Sequence, residues 1–185
     1  MGNVIITINR ESGSGGREIA HQLGKTLGLS VYDKAILESM AEKIDIEGCP
    51  YKPESQKVTS KELFQTETQI MRNLAEKESC IIVGRCGFRV LKDFTNVIKL
   101  FIHANRDVRI QRMAKIKKIN KQLAAERMDE IDEARESFTK YFGGCSRYDA
   151  RNYDISIDVS HTTIDAVVAF LAENLQRKMD AVETK

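Results

Sequence analysis

Apolar and polar positions follow one another along the chain in blocks, and the period of the apolar ones switches between two residues and about four. Val4-Ile5-Ile6-Thr7-Ile8 is a short β-rich run, stopped by Asn9-Arg10-Glu11-Ser12-Gly13-Ser14-Gly15-Gly16. Ile19, Leu23 and Leu27 then recur every four residues with Ala20 beside them, which predicts an amphipathic helix ending at Gly28. Ser30-Val31-Tyr32 reads as a second strand, and Asp33 is placed to cap a helix through Ile36, Leu37, Met40 and Ala41. Pro50 and Pro53 fall in a polar stretch from Asp45 to Ser60 that reads as a loop. A helix from about Lys61 to Lys77 follows, with Leu63, Phe64, Ile70, Met71 and Leu74 on one face. Cys80-Ile81-Ile82-Val83 is too short for a helix and ends in Gly84-Arg85-Cys86-Gly87. Val97 to Ile102 predicts another strand, a basic helix begins near Arg106, and a further helix covers about Lys121 to Tyr141 before Gly143-Gly144. Asp154 to Val159 alternates as a last strand, and Ile164, Val167, Val168, Leu171 and Leu175 mark the closing helix.

Short apolar strands alternating with helices predict βαβ units and a parallel sheet covered on both faces. Sheets of this kind take ligands at the carboxyl ends of their strands, which is where both glycine-rich turns fall. The length of 185 residues predicts one domain. No apolar run approaches the ~20 residues of a membrane span. The start carries no basic segment ahead of a long apolar stretch, and Ile6 stands where N-myristoylation requires Ser or Thr. A cytoplasmic location without membrane partners is therefore expected.

Charge changes the picture through its distribution. The 29 basic and 27 acidic side chains leave a net +2, too balanced for a protein that coats nucleic acid. Basic residues nevertheless thicken from Lys99 to Arg127, either as a solvated helix face or as a region that attracts a small polyanion. A nucleic-acid module on that stretch is not expected, since the chain has no tryptophan and only 6% aromatic residues to stack bases. Cys49, Cys80, Cys86 and Cys145 form no C-x-x-C pair, and His21, His103 and His161 are scattered, so no protein-built metal site is expected.

The strongest local signal is the strand, glycine-rich turn and helix from Val4 to Leu27. Backbone N–H groups in such a turn, with a helix N-terminus behind them, cradle phosphate; an ordinary βα turn is the other reading. Set against the P-loop pattern G-x-x-x-x-G-K-[ST], Arg10 occupies the first glycine, Gly16 the lysine and Arg17 the Ser/Thr position. A second signal is Arg85, which Gly84 would release at a strand end to clamp a phosphate bidentately. Arg106, Arg109 and Arg112 follow at spacings of three, with Arg112 drifting off the shared face. Arg127 and Arg135 lie on the next helix. Each of these arginines, taken alone, reads first as a solvated side chain rather than as a ligand.

Taken in order, the residues resemble the cytidylate kinase-like family of P-loop nucleotide kinases. The likeness is carried by Ile8 to Ala20, Val31-Tyr32-Asp33-Lys34, Cys80 to Gly87, Phe101-Ile102-His103-Ala104 with Arg109 and Arg112, Ile131 to Arg135, and Tyr153 to Asp158. It spans nearly the whole chain. The resemblance implies a P-loop NTPase-type three-layer α/β fold: a mainly parallel five-stranded sheet, helices on both faces and a helical lid. One nucleoside-monophosphate-kinase-like domain would cover 1–185, with a reduced acceptor region at about 33–78 and a lid at about 106–142. It further implies transfer of the ATP γ-phosphoryl group to a small phosphorylated acceptor, nominally CMP or dCMP, with Mg²⁺ on the ATP oxygens. Ser12, Gly13, Ser14, Gly15 and Gly16 would hold the donor phosphates, with Arg17 in place of the lysine and Arg127 on the lid. Arg85 and Asp33 would contact the acceptor, and Arg17, Arg85, Arg109, Arg112 and Arg135 would serve the transfer. The lysine-less loop and Cys86, where the family has an acidic residue, support a different class: a nucleotide-binding domain with little turnover, acting as sensor or scaffold.

Overall fold

β1 (Ile5–Arg10), β2 (Ser30–Tyr32), β3 (Cys80–Val83), β4 (Val97–His103) and β5 (Ile155–Asp158) form one sheet in the order β2-β3-β1-β4-β5. Every pairing is parallel, with Ile8 opposite Val83 on one side of β1 and Leu100 on the other. The computed structural model describes residues 3–43 and 60–183. Cys49 and the Pro50/Pro53 stretch lie outside them.

The sheet is covered on both faces because side chains alternate along each strand. Ile6 and Ile8 of β1, with Ile81 and Val83 of β3, pack on α1 (Gly16–Leu27) and α7 (Ile164–Glu183) through Ile19, Leu23, Val167 and Leu171. Ile5, Cys80 and Ile82 point the other way, onto α2 (Lys34–Lys43) and α3 (Ser60–Lys77) through Leu37, Ile70 and Met71. A strand buried on both faces reads as a continuous apolar run, and that is the appearance of Val4 to Ile8 and Cys80 to Val83. Each fully buried aliphatic side chain contributes roughly 1.5–3 kcal/mol.

The remaining described α-helices are the single turn α4 (Gly87–Val90) and a hairpin of α5 (Arg106–Lys117) and α6 (Lys121–Phe138), and a 3-10 turn covers Ala150–Asn152. The sequence carries α6 on to about Tyr141, but regular α-helix stops at Phe138 and a π-helical turn covers Thr139–Gly143 before Gly144 takes a left-handed φ of 67°. Phe142 of this turn lies 4.7 Å from the Phe138 ring and 4.3 Å from Phe64 of α3, centroid to centroid, so the three rings pack together against α3. Among the described residues no helix is long and apolar enough to cross a membrane.

Candidate active site

Because β1 and β3 are neighbours and parallel, the turns that follow them stand side by side; Gly84 N–H donates to Ile8 O at 3.0 Å. The first turn, Glu11 to Gly15, takes left-handed φ values of 78° at Gly13 and 86° at Gly15. A Cβ on Gly13 would stand 2.6 Å from the Arg109 carbonyl oxygen, so α5 is pressed directly onto the loop.

Two arginines of α5 hold that loop by its carbonyls. Arg109 Nη1 donates to Ser12 O at 3.2 Å and to Asp132 Oδ2 at 2.6 Å, and its Nε lies 3.3 Å from Glu11 Oε2. Arg112 Nη1 donates to Ser14 O at 2.5 Å and to Gly13 O at 3.3 Å. The Ser12 N–H is bound by Asp132 Oδ1 at 2.8 Å. Among the described residues no acceptor is bonded to the N–H of Gly13 or Gly15, leaving two donors for a ligand. Arg106, by contrast, turns outward to Asp129 at 2.6 Å. Thus Arg112, which helical spacing takes off the shared face, reaches the loop together with Arg109, while Arg106 leaves it.

Arg17 is 67% exposed and pairs with Asp33 Oδ2 at 2.7 Å. Asp33 Oδ1 accepts from the Ala35 and Ile36 N–H groups at 3.1 and 3.2 Å, so it caps α2 as the sequence predicts. Glu11 is occupied as well, accepting from Ala104 N–H at 3.2 Å. Arg127 is exposed on α6 and lines neither of the cavities described below.

At the second turn, Gly84, Arg85 and Cys86 all have left-handed φ values, which lifts Arg85 off the strand end. Its guanidinium is held from behind by Glu67 of α3, through Nε at 2.8 Å, and lies 4.3 Å over the Phe138 ring. Glu67 is fully buried, and burial pushes its carboxyl above the usual range. The thiols of Cys80 and Cys86 are driven up by burial to about 12 and about 11, which makes both inert near neutral pH.

Three residues of the site leave no mark in the hydrophobic pattern. Arg147 is fully buried behind β1, where it donates to the Arg10 carbonyl and approaches Asp132 Oδ1 at 3.5 Å. Asp132 collects Ser12, Arg109 and Arg147, with Arg135 at 3.6 Å. Arg10 runs from the end of β1 over Gly16 and on to Gly84, so one side chain spans both glycine turns.

Two cavities meet here. The larger, of about 580 Å³, lies against the loop and is closed by Asp33, Glu38, Arg112 and Met113. The smaller, of about 350 Å³, is bounded by Asn9, Val83, Cys86, Phe138 and Thr139. Arg10, Lys34 and Arg135 line both. With Arg85 they make four cationic residues around the smaller cavity, whose lining contains no carboxylate. Nor do the described residues contain any group of three or more His, Cys, Asp or Glu placed to hold a metal ion.

Residues 5–161 match the model of the cytidylate kinase-like family. A crystal structure of an uncharacterized protein from Eubacterium ventriosum is 25% identical with a TM-score of 0.80, over 94% of this chain and 99% of that one. Shikimate kinase from Bacteroides thetaiotaomicron is 17% identical with a TM-score of 0.58, over 94% and 98%. Shikimate kinase from Aquifex aeolicus is 18% identical with a TM-score of 0.53, over 95% and 98%. No curated protein matches the chain. The fold is that of the P-loop kinases, as the resemblance in sequence implies.

Proposed function

The chain belongs to the cytidylate kinase-like family, and from that premise we propose that it is an ATP-dependent phosphotransferase acting on a small phosphorylated acceptor, with CMP or dCMP as the nominal one. The observation that carries this reading is the pair of cavities joined at Arg10, Lys34 and Arg135. A donor on the glycine loop and an acceptor beside Gly84 would meet at that shared wall. Phosphoryl transfer depends on such positioning and on neutralising the equatorial oxygens.

The chemistry of the smaller cavity favours a phosphate over an alcohol as acceptor. An alcohol must give up its proton to a base, and no carboxylate lines this cavity. A phosphate monoester is already ionised at neutral pH. One of its oxygens attacks the γ-phosphorus, the bond from that phosphorus to the β–γ bridging oxygen breaks, and ADP leaves with no proton to move. Four cations on a wall without a carboxylate, Arg85 paired from behind by Glu67 and Lys34 with Glu38, suit that anionic acceptor.

In this reading the N–H groups of Gly13 and Gly15, with Ser12, Ser14 and Gly16 shaping the turn, bind the donor phosphates. Arg109 and Arg112 are positioning residues that hold the loop carbonyls away from them. Arg135 faces the transferring group. Arg85 borders the acceptor side, whereas Asp33, with Arg17 paired to it, stands on the wall of the larger cavity. Arg127 belongs to the outer face of the α5–α6 lid. Mg²⁺ enters with ATP as part of the substrate. Cytoplasmic nucleotide pools would supply both reactants.

The second reading, a nucleotide-binding domain with little turnover, is favoured by one observation: Glu67 already neutralises Arg85. A coupled ADP-release assay with Mg·ATP and a panel of nucleoside monophosphates separates the two. Acceptor-dependent release well above the no-acceptor rate is expected. Nucleotide binding without any stimulated release would move the chain to the second reading.

A further inference from the structure

A P-loop lysine stands at the first helical position and reaches over a glycine to the β- and γ-phosphates. Here both positions are altered, and they are altered together. A Cβ on Gly16 would lie 2.6 Å from Arg10 Cβ and 2.9 Å from Arg10 Cγ, so the space through which a residue-16 side chain would leave is filled by the Arg10 stem. Further out, the Arg10 guanidinium passes over Gly84, in the wall shared by the two cavities. Arg17, the other cation nearby in sequence, points out to Asp33.

We propose that Arg10 supplies the phosphate-contacting charge of the missing lysine, through an exchange in which the cation has moved to the first-glycine position and the glycine to the lysine position. The inference rests on the donor-nucleotide reading above and names the residue on which that reading turns. The surroundings of the guanidinium agree with it. Among the described residues no acceptor is hydrogen-bonded to the Arg10 guanidinium; the charges that face it are Arg135, Arg147, Arg17 and Asp33, three of them positive. Burial, then Arg135 and Arg147, push the group down from its usual value to about 9. A half-buried cation facing mostly other cations gains most from a polyanion in the adjoining cavity. Arg147 donates to the Arg10 carbonyl and so fixes the backbone from which the side chain starts.

Calorimetry on the full chain with Mg·ATPγS, and separately with inorganic tripolyphosphate, tests this. The variants are Arg10→Met, Arg10→Lys, Arg17→Met and the exchange Arg10→Gly/Gly16→Lys, with thermal melting as the check on folding. Arg10→Met is expected to weaken both probes by about 10- to 100-fold, the value of a charge-assisted hydrogen bond. Arg10→Lys should fall between Arg10→Met and wild type. The exchange variant should recover most of the loss, because removing the Arg10 stem opens the path for a side chain at position 16, and the lysine introduced there restores the charge. Affinity within twofold of wild type in both single Arg10 variants overturns the inference and leaves nucleotide binding standing. So does a loss confined to Arg17→Met, or a folded exchange variant no better than Arg10→Met. A wild-type chain that binds neither probe overturns the nucleotide reading itself, and the inference with it.

Discussion

Arg109 Nη1 stands 2.6 Å from Asp132 Oδ2, and the other oxygen of that carboxylate accepts the Ser12 N–H at 2.8 Å. One carboxylate on α6 thus ties the α5–α6 hairpin to the loop, and it does so where charge is expensive to leave unpaired. Asp132→Asn removes the negative charge facing buried Arg109 and fully buried Arg147. The expected loss is about 3–5 kcal/mol, the usual cost of breaking a buried pair on one side. Urea denaturation measures it, and a loss below about 1 kcal/mol would show that the arginines find other partners.

Gly13 cannot be replaced cheaply. Its φ of 78° is disfavoured for any residue with a Cβ, and that Cβ would meet Arg109 O. Gly13→Ala should cost more than about 1 kcal/mol in stability. Because the clash pushes α5 away from the loop, nucleotide affinity should fall as well. Melting and calorimetry on the same variant report the two effects, and unchanged affinity would separate the loop's shape from its binding role.

Arg85→Ala is expected to lower acceptor-dependent turnover by about 100-fold or more, the scale of losing one charged group at a transferring centre, while the affinity for Mg·ATPγS stays close to wild type. The same change strands buried Glu67 without its partner, so a fall in stability should accompany it. Arg85→Ala/Glu67→Gln removes the stranded charge and should recover stability without recovering turnover. Steady-state kinetics on both variants decide the matter; turnover equal to wild type in either removes Arg85 from the mechanism.

Nucleotide binding should depend on alkaline pH through Arg10. The free protein holds this guanidinium at about 9, and a bound polyphosphate favours its charged form and so raises that value. Binding then takes up a proton between the two values, and affinity falls as pH rises through about 9. Arg10→Met should show a flat profile over the same range. Calorimetry from pH 7.5 to 10 in two buffers of different ionisation enthalpy reads both the slope and the proton; an identical slope in the variant would assign it to another group.

The described strands and long helices were legible in the sequence because local pattern marks them, as with Ile5 to Ile8 as a continuous run, Ile19, Leu23 and Leu27 as a stripe, and Asp33 as a cap. The polar architecture was legible only in part. Arg147 meets Asn9 across 138 positions, and Asp132 meets Ser12 across 120. Contacts of that span come from strand order, which no window of neighbouring residues contains. Helical spacing likewise measures distances within α5, whereas Arg109 and Arg112 meet because the loop curves past both. Glu67 reads as one more polar residue on an amphipathic helix until α3 is packed against the turn of Arg85.

The position of β1 bears on how motion is distributed in the molecule. It is bonded along Ile5–Arg10 to β4 and along Ile5–Ile8 to β3, so its amides open only with the sheet as a whole, and their hydrogen exchange should be among the slowest in the chain. A lysine at the head of a helix travels with that helix whenever it tilts or frays. A cation that begins on the inner strand does not, and its origin would stay registered to Gly84 if α1 or the α5–α6 hairpin moved. Any shift of that hairpin would change what surrounds the charge without changing where it is rooted.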